Sequence, residues 1–108
     1  MTKGYPTLRI FSGDAFSPSL EAAVLRGHHM VPVLNNLDID VACYGNHDFD
    51  FGEAQLNELS NQCSFPWTLA NAVSRAGADA TRLLARAHRY IIKNVDDYKI
   101  GFFGLAGT

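Results

Sequence analysis

The chain has 108 residues, of which 47% are hydrophobic and 19% charged, and its formal net charge is −2. These proportions fit one globular domain at most and exclude a disordered, highly charged chain. They leave no basic surplus for a nucleic-acid face, and no apolar run approaches the ~20 residues of a membrane-spanning helix.

The first residues, Met1-Thr2-Lys3-Gly4-Tyr5-Pro6, lack the apolar stretch of a signal peptide. The default expectation is a cytoplasmic protein if that terminus is native; a truncated terminus leaves the compartment open. Two widely spaced cysteines, Cys43 and Cys63, make neither a disulfide framework nor a zinc motif and read as small buried hydrophobes.

In chain order, Leu8-Arg9-Ile10-Phe11 predicts a strand that ends at Gly13. Ser17-Pro18 suits the start of a helix, with serine as N-cap and proline at the first helical position. Leu20, Val24 and Leu25 supply its apolar face, and Gly27 ends it. A second helix is predicted over Met30 to Leu37, with Met30, Val33, Leu34 and Leu37 on one face and Pro32 tolerated in the first turn. Ile39 to Tyr44 predicts the next strand, ending at Gly45; Glu53 to Gln62 predicts a third helix on Leu56 and Leu59; Trp67 to Ala70 predicts a third strand. Residues 73–86 read as loop. Arg89 to Lys93 and Lys99 to Phe103 flank Asp96-Asp97 as a β-hairpin. The order predicts an α/β layered fold, with parallel strands whose carboxyl ends open onto one crevice and a C-terminal hairpin.

Two polar clusters fall at those strand ends: Gly13-Asp14, and Gly45-Asn46-His47-Asp48. A carboxylate, an amide oxygen and an imidazole suit hard or borderline cations such as Mg, Mn, Fe or Zn. A carboxylate can bridge two such cations ~3.5–4 Å apart, an arrangement that acidifies a water and clamps an in-line displacement at phosphorus.

Gly13-Asp14 with Gly45-Asn46-His47-Asp48 resembles two motifs of the calcineurin-like metallophosphoesterases. Phe49-Asp50-Phe51-Gly52, the run Pro18-Ser19 then Gly27, Met30-Val31, Asn35 and Asp40, and Gly101-Phe102-Phe103-Gly104-Leu105 extend the likeness to the 5′-nucleotidase branch. The resemblance implies a layered α/β sandwich and two divalent metal ions (Mn, Mg, Zn, Fe or Co). It implies Asp14 as the metal-bridging carboxylate and Asn46 as a ligand to the second metal. His47 is implied as the catalytic group facing the substrate phosphate, with Asp50 orienting it and holding it charged. Asp48 is implied as a supporting residue. The implied substrate is a small phosphate ester, a nucleoside 5′-phosphate above others.

The family pattern also has an Asp-x-His pair on an earlier strand and a later Gly-His-x-His motif, and the chain has neither. Residues 1–108 are therefore expected to be a partial domain of a longer hydrolase, inactive in isolation. The alternative is a catalytically inactive fragment or interaction module with half a metal site, whose unpaired strand edge invites another chain. The remaining histidines carry blander expectations. His28 and His29 point about 100° apart on a helix and read as solvated or half-buried; His88 reads as the opening of a hairpin strand. Phe49 and Phe51 read as core anchors, and Arg82, Arg86 and Arg89 as a solvated face.

Overall fold

The computed structural model describes residues 7–18, 25–73 and 83–107. Three short strands, β1 (Ile10–Phe11), β2 (Val41–Cys43) and β3 (Trp67–Thr68), form a parallel sheet in the order β1-β2-β3. Ile10 lies opposite Val41 and Phe11 opposite Ala42; Ala42 in turn lies opposite Trp67 and Cys43 opposite Thr68. All the carboxyl ends thus point the same way, as a parallel α/β sheet requires.

Helix α1 (Met30–Asn36) leads into β2, and helix α2 (Glu53–Gln62) crosses from β2 to β3. The helix predicted from Ser17 to Gly27 falls mostly outside the described residues. On α1 the buried stripe is Val31 and Leu34, with Val33 and Leu37 about half exposed. This corrects the predicted face. Positions 31 and 34 sit one turn apart, so they share a side that position 33, about 100° away from 34, leaves. On α2, Leu56 and Leu59 are buried as predicted.

The core lies between these helices and one face of the sheet. Phe16, Leu34, Tyr44, Leu56, Leu59, Trp67 and Leu69 fill it. Tyr44 stacks on Trp67 at 4.8 Å between centroids, and Phe16 and Phe65 flank the same indole at 5.5 and 5.4 Å. Such offset aromatic pairs add about 0.5–1.5 kcal/mol beyond area burial. Tyr44 also donates its hydroxyl to the Ala85 carbonyl at 3.1 Å, and burial pushes its pKa up to about 12.

The hairpin pairs β4 (Ile91–Val95) with β5 (Tyr98–Phe102) around Asp96-Asp97, and Asp96 takes a left-handed φ of 52°. Both strands run right up to this two-residue turn. β4 starts two residues later than predicted because His88 is engaged elsewhere: it forms a parallel bridge to Thr68, on the edge of the main sheet. Behind the hairpin, the Ala70 N–H donates to the Gly104 carbonyl at 2.7 Å. That bond ties the end of the chain back to the loop after β3.

Candidate active site

The loops that leave β1 and β2 touch backbone to backbone. Gly13 has a φ of 108°, and a Cβ there would lie 2.8 Å from the Gly45 nitrogen. A side chain at Gly45 would in turn run into the Asp14 carboxylate. Both glycines are required by this approach, and it sets Asp14 directly against the start of the second cluster. Asp14 itself sits at φ 57°, a left-handed conformation that aspartate tolerates better than most residues.

Asp48 fastens the two loops together. It is 3% exposed; its Oδ2 accepts the Asp14 N–H at 2.9 Å and the Gly45 N–H at 2.8 Å, and its Oδ1 accepts the Phe16 N–H at 2.9 Å. Burial pushes this carboxyl's pKa up, against the opposing pull of the backbone N–H groups. The supporting role expected of Asp48 is thus concrete: one side chain satisfies donors from both strand ends.

The residues singled out from sequence come together on this frame. Asn46 and His47 lie in the short 3-10 turn Asn46–Phe49, which starts at Gly45. The His47 N–H donates to Asp14 Oδ1 at 3.0 Å, so Asp14 and the Asn46-His47 pair occupy one sheet edge. His47 Nδ1 stands 3.1 Å from Asp50 Oδ2, and both side chains are partly open to solvent. Asp50 closes the 3-10 turn and is not the cap of α2, whose N-cap is Gly52. The Ser17 hydroxyl donates to the same Asp50 oxygen at 2.6 Å, and this bond, followed by His47, holds the Asp50 carboxyl below the usual carboxylate range.

A cleft of about 270 Å³ opens beside Asn46, lined by Phe49, Asn71, Ala72, Leu84, Ala106 and Gly107. Asn71 latches its wall: its Nδ2 donates to the Ala106 carbonyl at 2.9 Å, and the Ala106 N–H returns to Asn71 Oδ1 at 3.0 Å. Asn71 was not singled out from sequence, and Ser17 was read only as a helix cap. Their partners lie 35 and 33 residues away, beyond the reach of local pattern. The one available signal was the position of Asn71 just past a third parallel strand.

His28 and His88 are exposed and His29 is half-buried. Phe49 packs on Tyr44 at 5.9 Å, and Phe51 lies under the Arg26 guanidinium at 5.6 Å. Arg86 and Arg89 are exposed, and Arg82 lies outside the described residues. Cys43 and Cys63 are free and partly buried, and burial raises both thiols, Cys63 to about 11.

As a metal site the donor set is compatible but short. Asp14 and Asn46 offer a carboxylate and an amide oxygen, both suited to hard divalent cations. Among the described residues, no group of three or more His, Cys, Asp and Glu side chains gathers as a metal cage. Closed divalent sites use about four to six donors or more.

No family model matches the chain. It is 31% identical over 98 residues to a snake venom 5′-nucleotidase from Gloydius brevicauda, an alignment covering 90% of the chain and 16% of that relative. Its fold superposes on a 5′-nucleotidase precursor from Thermus thermophilus with a TM-score of 0.78, at 24% identity, over 96% of the chain and 20% of the neighbour. It likewise superposes on a calcineurin-like phosphoesterase from Bacillus subtilis with a TM-score of 0.71, at 23% identity, over 92% of the chain and 34% of the neighbour. The chain therefore spans about a sixth of the curated relative's length. The sequence likeness marks the chain as part of a 5′-nucleotidase-type domain, and its parallel strand ends joined through Asp48 belong to a fold shared with a calcineurin-like phosphoesterase.

Proposed function

We propose that the chain supplies part of a divalent-metal-dependent site that hydrolyses phosphate esters, nucleoside 5′-phosphates in particular, within a longer protein. The observation that carries this reading is the juxtaposition of Asp14 with the Asn46-His47 pair, on loops pinned to one another by Asp48. The name of the venom relative supports the substrate class.

Asp14 and Asn46 would hold the metal, together with ligands from elsewhere in the longer protein. Bound divalent cations supply an acidified water and positive charge at phosphorus. The chain's own contribution is His47. A carboxylate only accepts, so Nδ1 carries the proton shared with Asp50, which leaves Nε2 to meet the phosphate or the departing oxygen.

This division of labour is tested by comparing variants of the longer protein. Asn46→Ala should lower bound metal, measured by elemental analysis. Asp50→Ala should leave metal in place and lower turnover by about 10–100-fold, the usual effect of losing a group that orients an active-site side chain. Loss of metal from Asp50→Ala would remove Asp50 from the orienting role.

A second reading, an inactive interaction module, has one observation in its favour. The edge strand β1 leaves Ile10 58% exposed, and Phe103 and Leu105 are similarly open. An uncovered apolar edge of this kind is a template for pairing. A longer protein that carries the full ligand set and hydrolyses nucleotides would dispose of it.

A further inference from the structure

We propose that Ser17 is a positioning residue for the His47–Asp50 pair, the first member of a Ser17–Asp50–His47 relay. The inference rests on the reading of His47 and Asp50 as the catalytic pair. Ser17 is 7% exposed and its hydroxyl lies 2.6 Å from Asp50 Oδ2, within the short range of hydrogen bonds to an ionised acceptor. The same oxygen is the one that receives His47 Nδ1, at 3.1 Å.

The origin of Ser17 explains why it matters. Asp50 closes an open turn and is partly solvent-exposed, and the partner its own turn gives the carboxylate is His47 itself. Ser17 comes from the loop after β1. Its neighbour Phe16 is 1% exposed, packs against Trp67 and donates its N–H to Asp48. The core thus sets the hydroxyl, the hydroxyl sets the carboxylate oxygen, and that oxygen sets the imidazole. A purely structural tie is the weaker explanation, because Asp48 already joins these loops through three backbone N–H groups. The Ser17 hydrogen bond adds a fixed direction at the one atom that His47 uses.

The test is a double-mutant cycle on steady-state kinetics in the longer protein, paired with NMR on the 108-residue chain. Ser17→Ala should lower kcat about tenfold, with KM and metal content unchanged. Ser17→Thr, which keeps the hydroxyl, should restore most of the loss. In an Asp50→Ala background, Ser17→Ala should change kcat by less than about twofold, because the two residues act in series. An equal loss in both backgrounds, or an unchanged kcat on Ser17→Ala, overturns the proposal. Should Ser17→Ala not fold, as judged by circular dichroism, the near-isosteric Ser17→Cys takes its place in the cycle. In the chain itself, nitrogen-detected spectra of the His47 ring should show Nδ1 protonated and a single ring orientation, and Ser17→Ala should broaden that signal. An unchanged signal in the variant also overturns the proposal. A longer protein inactive in its natural form would defeat the hydrolase reading alone, because the NMR comparison does not depend on turnover.

Discussion

Asp48 is the residue on which the site's geometry depends, and its chemistry is unforgiving. Both oxygens of a buried carboxylate face backbone donors. Asp48→Asn keeps the size and replaces one acceptor oxygen with an NH₂ group that opposes an N–H. A buried donor left without an acceptor costs about 1–3 kcal/mol, so this variant should lose about that much unfolding free energy and show a lower denaturant midpoint. An unchanged midpoint would mean that the loops are held in some other way. The thiols give a second expectation at this scale. The reactive form is the thiolate. Cys63 has its pKa raised by burial to about 11, so the folded state favours the protonated thiol. Its contribution to stability is complete below the ordinary thiol range and is lost as pH rises through about 11. Alkylation of the native chain near pH 8 should therefore be slow at Cys63 and should accelerate on unfolding. Rapid native alkylation would show an open site.

The elements were readable from sequence where pattern is local. Glu53 to Gln62 is a helix with Leu56 and Leu59 inward, as its spacing predicts. Gly13-Asp14 and Gly45-Asn46 follow adjacent parallel strands, as the strand-helix-strand order predicts. What local pattern missed depends on contacts between distant segments. The face of α1 turned toward Val31 because the core, and not the helix's own repeat, decides which side is covered. His88 left the hairpin to pair with Thr68, a choice that only the sheet edge could dictate. The relay from Ser17 and the latch at Asn71 are invisible for the same reason. Leu59 is 1% exposed, and it also abuts Gly27, where a Cβ would come within 2.9 Å of its side chain. Leu59→Ala should cost about 2–5 kcal/mol in chemical unfolding. A cost below about 1 kcal/mol would mean that α2 is not anchored on the sheet as described.

At the scale of the whole molecule, the described residues bring together two metal-compatible ligands and a histidine bonded to Asp50, while the venom relative is about six times as long. A metal site needs enough ligands to offset the lost hydration of the ions, and two per chain fall short. In the proposed function, Asp14, Asn46 and His47 form one part of a hydrolytic site completed by other segments. The most direct measurement is hydrolysis of a nucleoside 5′-phosphate in millimolar Mn, run in parallel on the 108-residue chain and on the longer protein, each with its His47→Ala form. The account predicts no measurable turnover by the chain, and turnover by the longer protein that falls at least about a hundredfold on His47→Ala. Turnover by the chain alone that disappears on His47→Ala, or an inactive longer protein with its ligand set complete, would contradict it.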